Sequence, residues 1–154
     1  MTNSVEERLA SFGVTLPPPP QPKGSYVPVV EEGGFAWVAG QLPLVQGQLL
    51  HKGLVDTDVP LADAQECARQ ATLSALAALK AALGDLDRIR RVVRVGVFVA
   101  SSPNFTSQPA VANGASDLLV AAFGEAGKHA RVAVGTARLP LDSPVEVELL
   151  VAVK

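Results

Sequence analysis

The sequence predicts an α+β domain, a mixed β-sheet with two helices packed on one face. Three observations carry that prediction. An alanine-rich run over residues 60–83 repeats its apolar positions at helical spacing. Valine-dense runs at 92–99 and 145–153 are too rich in β-branched residues for surface helices. Helices also alternate with strands in the order ββ, short β, α, β, α, β, β, a pattern that calls for parallel as well as antiparallel pairing.

Each element has a local reason. Ser4-Val5-Glu6-Glu7 is a capping-box pattern, and Leu9 and Phe12 follow at helical spacing, so a short helix opens the chain and ends by Gly13. Pro17, Pro18, Pro19, Pro20 and Pro22 supply no ladder donors and favour an extended conformation. That run is expected as a stiff surface connector, with a proline-motif ligand as the other reading. Residues 27–30 and 35–39 flank Glu31-Glu32-Gly33-Gly34, a hairpin signal. A glycine-punctuated stretch follows and ends in a short candidate strand at 51–55.

The first long helix is expected over residues 60–83. Leu61, Ala64, Ala68, Ala71, Ala75, Ala78 and Ala82 form its face, with Gly84 placed to end it. Small side chains let such a face lie close against a sheet. The run at 92–99 reads as a central strand. A second helix starts near Pro109 and runs through Val111, Ala115, Leu118, Leu119, Ala122 and Phe123 toward Gly124. Strands at 130–138 and 145–153 close the chain, separated by a turn containing Pro140, Asp142 and Pro144.

Composition narrows the function classes. The 154 residues are 48% apolar and 18% charged, which suits one compact domain. Thirteen Lys+Arg against fifteen Asp+Glu leave a net charge of -2, so no global basic field exists to hold a nucleic-acid backbone or an anionic membrane. One cysteine, Cys67, excludes an internal disulfide, and His51 and His129 leave little for a zinc site. The start lacks a secretory pattern and no apolar run approaches the roughly 20 residues of a membrane span. A cytoplasmic, metal-free protein is expected. Its apolar surplus points to a homo-oligomer.

The chain carries no G-x-S-x-G, no Gly-rich phosphate loop and no H-E-x-x-H. What stands out is Arg131, and then Glu146 and Glu148, on otherwise apolar strands. A guanidinium fork suits a carboxylate, which makes Arg131 the first candidate for an anion anchor. The plainer reading is an exposed side chain or half of a structural ion pair. Glu146 and Glu148 share one strand face, and spacing does not choose between them. His129 shares the face of Arg131 in a regular strand, where a satisfied polar residue is the default. A small buried thiol is the default for Cys67, and packing accounts for Tyr26 and Trp37.

Several motifs together resemble the reactive intermediate deaminase (Rid) family, also called the YjgF family. They are Gly24-Ser25-Tyr26, Ala39-Gly40-Gln41-Leu42-Pro43, Asn113, and above all the block from Ala130-Arg131 through Ala137-Arg138-Leu139-Pro140 to Val145-Glu146-Val147-Glu148. The resemblance spans roughly residue 24 to the C-terminus, dividing the chain into an arm (1–23) and a Rid-like domain (24–154). It implies a chorismate-mutase-like α+β fold assembled as a homotrimer, with sheets facing an inner barrel and a small-molecule cleft at each subunit interface. The implied activity is hydrolysis of enamines and imines, such as 2-aminoacrylate, to 2-keto acids and ammonia, without a cofactor.

Carried onto this chain, the resemblance makes Arg131 the binder of the substrate carboxylate and Glu146 the residue that positions and activates water. Tyr26, Asn113 and the backbone around Arg131 and Ala133 would line the pocket, with His129 near the cleft. The family's sheet order leaves one strand between those of Arg131 and Glu146, about 10 Å laterally. Ser25 replaces the family's usual proline, Ala133 stands where many members carry cysteine, and the loop before Arg131 is one residue longer. A non-catalytic protein binding small carboxylates is the alternative. The endoribonuclease or translation-inhibitor activity ascribed to some relatives conflicts with the acidic balance.

Overall fold

The computed structural model describes residues 4–154. Its elements run α1 (Val5–Ser11), β1 (Val29–Glu32), β2 (Phe35–Gln41), β3 (Leu44–Val45), β4 (Gln48–Leu49), α2 (Leu61–Leu83), β5 (Ile89–Ala100), α3 (Gln108–Phe123), β6 (Ala130–Thr136) and β7 (Val145–Val153). The main sheet has the order β1-β2-β7-β5-β6. All its pairs are antiparallel except β5 with β6, which the α3 crossover makes parallel. The expected mixed sheet with α2 and α3 on one face is therefore present, and α1 joins the helical side.

The local signals act as their chemistry requires. Ser4 and Glu7 form the reciprocal capping box, and Val5 and Leu9 are buried beneath α1. Gly33 and Gly34 turn the β1–β2 hairpin with φ of 59° and 81°, the two left-handed positions of a tight loop that matches strand twist. Every residue from Ala71 to Leu79 is buried, because α2 meets the sheet on one side and other helical elements on the other. From the sheet, Val147 and Val151 of β7 lie on the side of α2 and Val95 and Val97 of β5 on the side of α3, all fully buried.

One expected strand is absent. Residues 51–55 do not pair as a strand; Val55 makes only isolated bridges to Val59 and Ser101. Gly53 at φ 110° and Asp56 at φ 82° bend the backbone out of the extended region, and the Asp58 carboxylate accepts the Leu54 N–H at 2.9 Å. The short pairing lies earlier, in β3 and β4, around Gln46 and Gly47 at φ 52° and 79°.

Register decides which side chains meet the helices. Val147, Leu149 and Val151 of β7 point into the core, so Glu146, Glu148 and Leu150 point to the open face. Through the pairings Phe98↔Glu146, Gly96↔Glu148 and Trp37↔Leu150, that face also carries Phe98 and Trp37. On β6 the partners Val95↔Arg131 and Val97↔Ala133 put Arg131 and Ala133 on the helical side, and Val132 and Val134 on the open one.

Candidate active site

The site residues fall into two groups, one on each face of the sheet. Arg131 extends from edge strand β6 toward α3, where one terminal nitrogen donates to Asn113 Oδ1 at 2.9 Å and to Ser116 Oγ at 3.1 Å. Asn113 and Ser116 are three apart, hence neighbours on one helix face. The Ser116 hydroxyl also lies 2.8 Å from His129 Nε2, while His129 Nδ1 is 2.6 Å from the Gly127 carbonyl. A carbonyl only accepts, so Nδ1 carries the proton and Nε2 accepts from Ser116.

That chain of contacts fixes the arginine without neutralising it. Among the described residues no carboxylate pairs with Arg131, whose guanidinium is exposed and keeps donors beyond the nitrogen held by Asn113 and Ser116. The structural ion-pair reading of Arg131 is thereby removed. A preorganised, uncompensated fork is what bidentate carboxylate binding requires. Ala133 lies on the same side of β6, partly buried against the core. Lys128 instead pairs with Glu125 at 2.6 Å.

On the opposite face, Glu146 lies over Gly40. A Cβ at Gly40 would stand 2.2 Å from Glu146 Oε1, so the missing side chain is what admits the carboxylate. It enters a cleft of about 320 Å³, which Tyr26, Gln41, Leu42 and Leu141 line with it. Among the described residues nothing hydrogen-bonds to or pairs with this carboxylate. Burial, and then the negative charge of Glu148, push its pKa above the ordinary carboxylate value. Glu148 has the other fate, lying over Gly96 and pairing with Arg94 at 2.8 Å. The structure thus separates the two glutamates that spacing left equivalent.

Within one chain the two groups do not meet. Strand β5 lies between β6 and β7, and Arg131 and Glu146 are offset by three residues along it, from Val95 to Phe98. Those offsets amount to about 10 Å across and about 10 Å along the sheet, with the side chains on opposite faces. Sequence reading missed Ser116, although its spacing from Asn113 was a usable signal. It also missed Gly40 as the space for Glu146. Pro20, Gln21, Pro22 and Lys23 line the same cleft, a contribution that periodicity does not encode.

Other reactive groups are placed less favourably. The Cys67 thiol is buried and pushed up to about 12, chiefly by desolvation and by Glu66, so it is no nucleophile at neutral pH. His51, Asp63 and Glu66 bring possible metal-ligand atoms within 4.8 Å of one another. The 4.0 Å between His51 and Asp63 exceeds the roughly 3.3 Å between ligand atoms of a tetrahedral zinc. None of the three lines the Glu146 cleft. Among the described residues, no helix is long and apolar enough to cross a membrane.

Comparison with known proteins agrees with this fold. Residues 6–153 match the family described as "YjgF/chorismate mutase-like, putative endoribonuclease", so the match takes in most of α1 and the proline run as well as the sheet. Protein TCP17 of Trypanosoma cruzi is 45% identical over 148 residues, covering 96% of this chain and 92% of that protein. A crystal structure of an Agrobacterium tumefaciens protein of unknown function superposes with a TM-score of 0.91 at 44% identity, covering 97% of this chain and 92% of its own. RidA from an Antarctic Psychrobacter gives 0.62 at 27% identity, over 88% of this chain and 94% of that one. With the strand order, the helical layer and a family match across nearly the whole length in agreement, this chain belongs to the YjgF/Rid family.

Proposed function

We propose that this protein is a deaminase that hydrolyses reactive 2-imino and enamino acids to 2-keto acids and ammonia, working as a homotrimer with composite sites. The observation that carries the reading is a pair of complementary, unfinished half-sites. Among the described residues Arg131 is a positioned cation without an acid, and Glu146 is a half-buried carboxyl without a partner. One chain holds them on opposite faces, so a second copy has to supply the missing half. The open sheet face supports assembly, because Val30, Trp37 and Val134 remain 51%, 49% and 39% exposed there.

In this reading the substrate carboxylate docks on Arg131 through two charge-assisted bonds, which fixes the imine carbon beside the neighbouring copy's cleft. An enamine first takes a proton on carbon to become the imine. Glu146 accepts a proton from water as its oxygen bonds to the imine carbon, giving a tetrahedral aminoalcohol. It then returns that proton to nitrogen and takes up the hydroxyl proton as the C–N bond breaks, so the hydroxyl oxygen becomes the keto oxygen and the leaving ammonia is protonated by Glu146 to ammonium. One iminium acid and one water yield one keto acid and one ammonium ion. No electrons change hands, so the chemistry calls for no redox cofactor. A pKa above the ordinary carboxylate range suits a group that both takes and gives the proton.

The test couples the protein to an amino-acid oxidase and follows keto-acid release from the free imine. Wild type is expected to accelerate release. Losing two charge-assisted bonds at about 1.5 kcal/mol or more each, Arg131→Ala is expected to lower kcat/KM by roughly 100-fold. Binding of 2-keto acids without any turnover would instead establish a carboxylate-binding protein.

A further inference from the structure

We infer that the N-terminal segment is one wall of the Glu146 cleft and selects the substrate's side chain, favouring 2-imino acids that carry a medium-sized apolar group. This inference rests on the deaminase reading and names its substrate class.

The segment is anchored along its length. Its helix is held by buried Val5 and Leu9, by the Val5 N–H donating to Asp87 at 2.9 Å, and by a Lys80–Glu6 ion pair. The chain then turns, with the Val14 N–H donating to the Leu9 carbonyl at 3.0 Å, Val14 buried, and Leu16 packed against the core. Pro17 and Pro19 share a groove with Ala77 and Ala81 near the C-terminal end of α2. Beyond them, Pro20 and Pro22 enter the lining of the cleft that holds Glu146.

Proline chemistry makes this wall rigid. Each ring fixes φ, and an extended proline run advances about 3.1 Å per residue without internal hydrogen bonds. The distance from the α2 groove to the cleft is thus spanned by a stiff strut. Its rings present carbon and no N–H donor. Leu42, Leu44 and Leu141 line the same cleft, so its lining is mostly apolar, with Gln41, Gln21 and Lys23 as its polar members and Glu146 at the reacting end. The volume of about 320 Å³ falls within the range of small-molecule sites. A three-carbon imine offers these walls a single methyl, whereas a branched four-carbon side chain offers more carbon to pack against them.

The experiment measures kcat/KM for the imines of leucine and alanine, each generated by an amino-acid oxidase, in wild type and in a Pro20→Ser/Pro22→Ser double variant. The ratio of leucine-derived to alanine-derived imine is expected to fall about tenfold, the scale of a few methylene contacts in an apolar pocket. Val120→Ser, altered at an exposed position of α3 outside both the arm and the cleft, serves as control and is expected to keep the ratio. An unchanged ratio in the double variant overturns the inference, as does a preference for the glutamate-derived imine that Lys23→Ala removes. If wild type hydrolyses no imine, the deaminase reading fails by itself. Calorimetric affinities for 4-methyl-2-oxopentanoate and pyruvate then decide the wall's role in the same variants, by the same ratio.

Discussion

At the scale of single residues, the candidate site rests on two charges that are positioned but not paired: Arg131 is held by Asn113 and Ser116, and Glu146 is half-buried in its cleft. Glu148 has Arg94 and Arg88 has Glu31, both at hydrogen-bond distance, whereas among the described residues Glu146 and Arg131 pair with no opposite charge. Glycine at position 40 sustains the Glu146 half. In Gly40→Ala the added methyl meets Glu146 Oε1, the far end of a flexible side chain that swings away at little cost. Imine hydrolysis is therefore expected to drop by about tenfold or more while Tm stays within a few degrees, since a misplaced catalytic group is punished more than a rotated surface carboxylate. A matched loss of both would show that Gly40 serves the fold. The raised pKa of Glu146 makes a second prediction. The base must be ionised, so kcat/KM falls as pH drops through that value, and the acid limb lies above the ordinary carboxylate range. Glu146→Gln is expected to lack the limb in a pH–rate profile of its residual activity.

At the scale of elements, close approach between α2 and α3 carries the helical layer and orients Asn113 and Ser116 toward Arg131. Gly114 sits between those two residues, where a Cβ would come 2.1 Å from the Gln65 carbonyl oxygen, a backbone atom that has nowhere to go. Alanine gains about 1 kcal/mol of helix propensity over glycine, yet overpacking of a tight contact costs about 1–3 kcal/mol or more. Gly114→Ala is expected to destabilise the protein on balance and to lower Tm in a melting experiment. A gain in stability would mean that the helices separate freely. The regular elements were legible in the sequence because burial imposes a period: the alanines of α2 and the alternation of β7 follow from which side meets the core. The bends at Gly53 and Asp56 were not, since one residue at positive φ outweighs a β-branched run. Arg131, Asn113, Tyr26 and Glu146 stood out in the sequence through the family resemblance, and the structure brings Arg131 to Asn113 and Tyr26 to the cleft of Glu146. Their division between two faces required the parallel register of β5 and β6, which no single segment encodes.

At the scale of the whole molecule, composite sites would show in the behaviour of mixtures. In the proposed enzyme Arg131→Ala removes the carboxylate anchor from every site, and Glu146→Gln removes the base from every site, so each variant alone is expected to be inactive but for a residual rate of about a hundredth of wild type. If a site takes Arg131 from one copy and Glu146 from the next, subunits of the two variants exchanged within one ring rebuild some intact sites. Such a site needs its arginine from a Glu146→Gln subunit and its glutamate from an Arg131→Ala subunit. At equal amounts with random assortment, each condition holds half the time, so about a quarter of wild-type activity returns on mixing and refolding. If each site instead drew both groups from one chain, no assortment would yield an intact pair and the mixture would stay inactive. The register already disfavours that arrangement, because a β-sheet cannot turn one strand's side chains to its other face without slipping every neighbouring residue out of the core. Recovery on mixing, absent when the same variants are assayed side by side without subunit exchange, would locate the chemistry between copies.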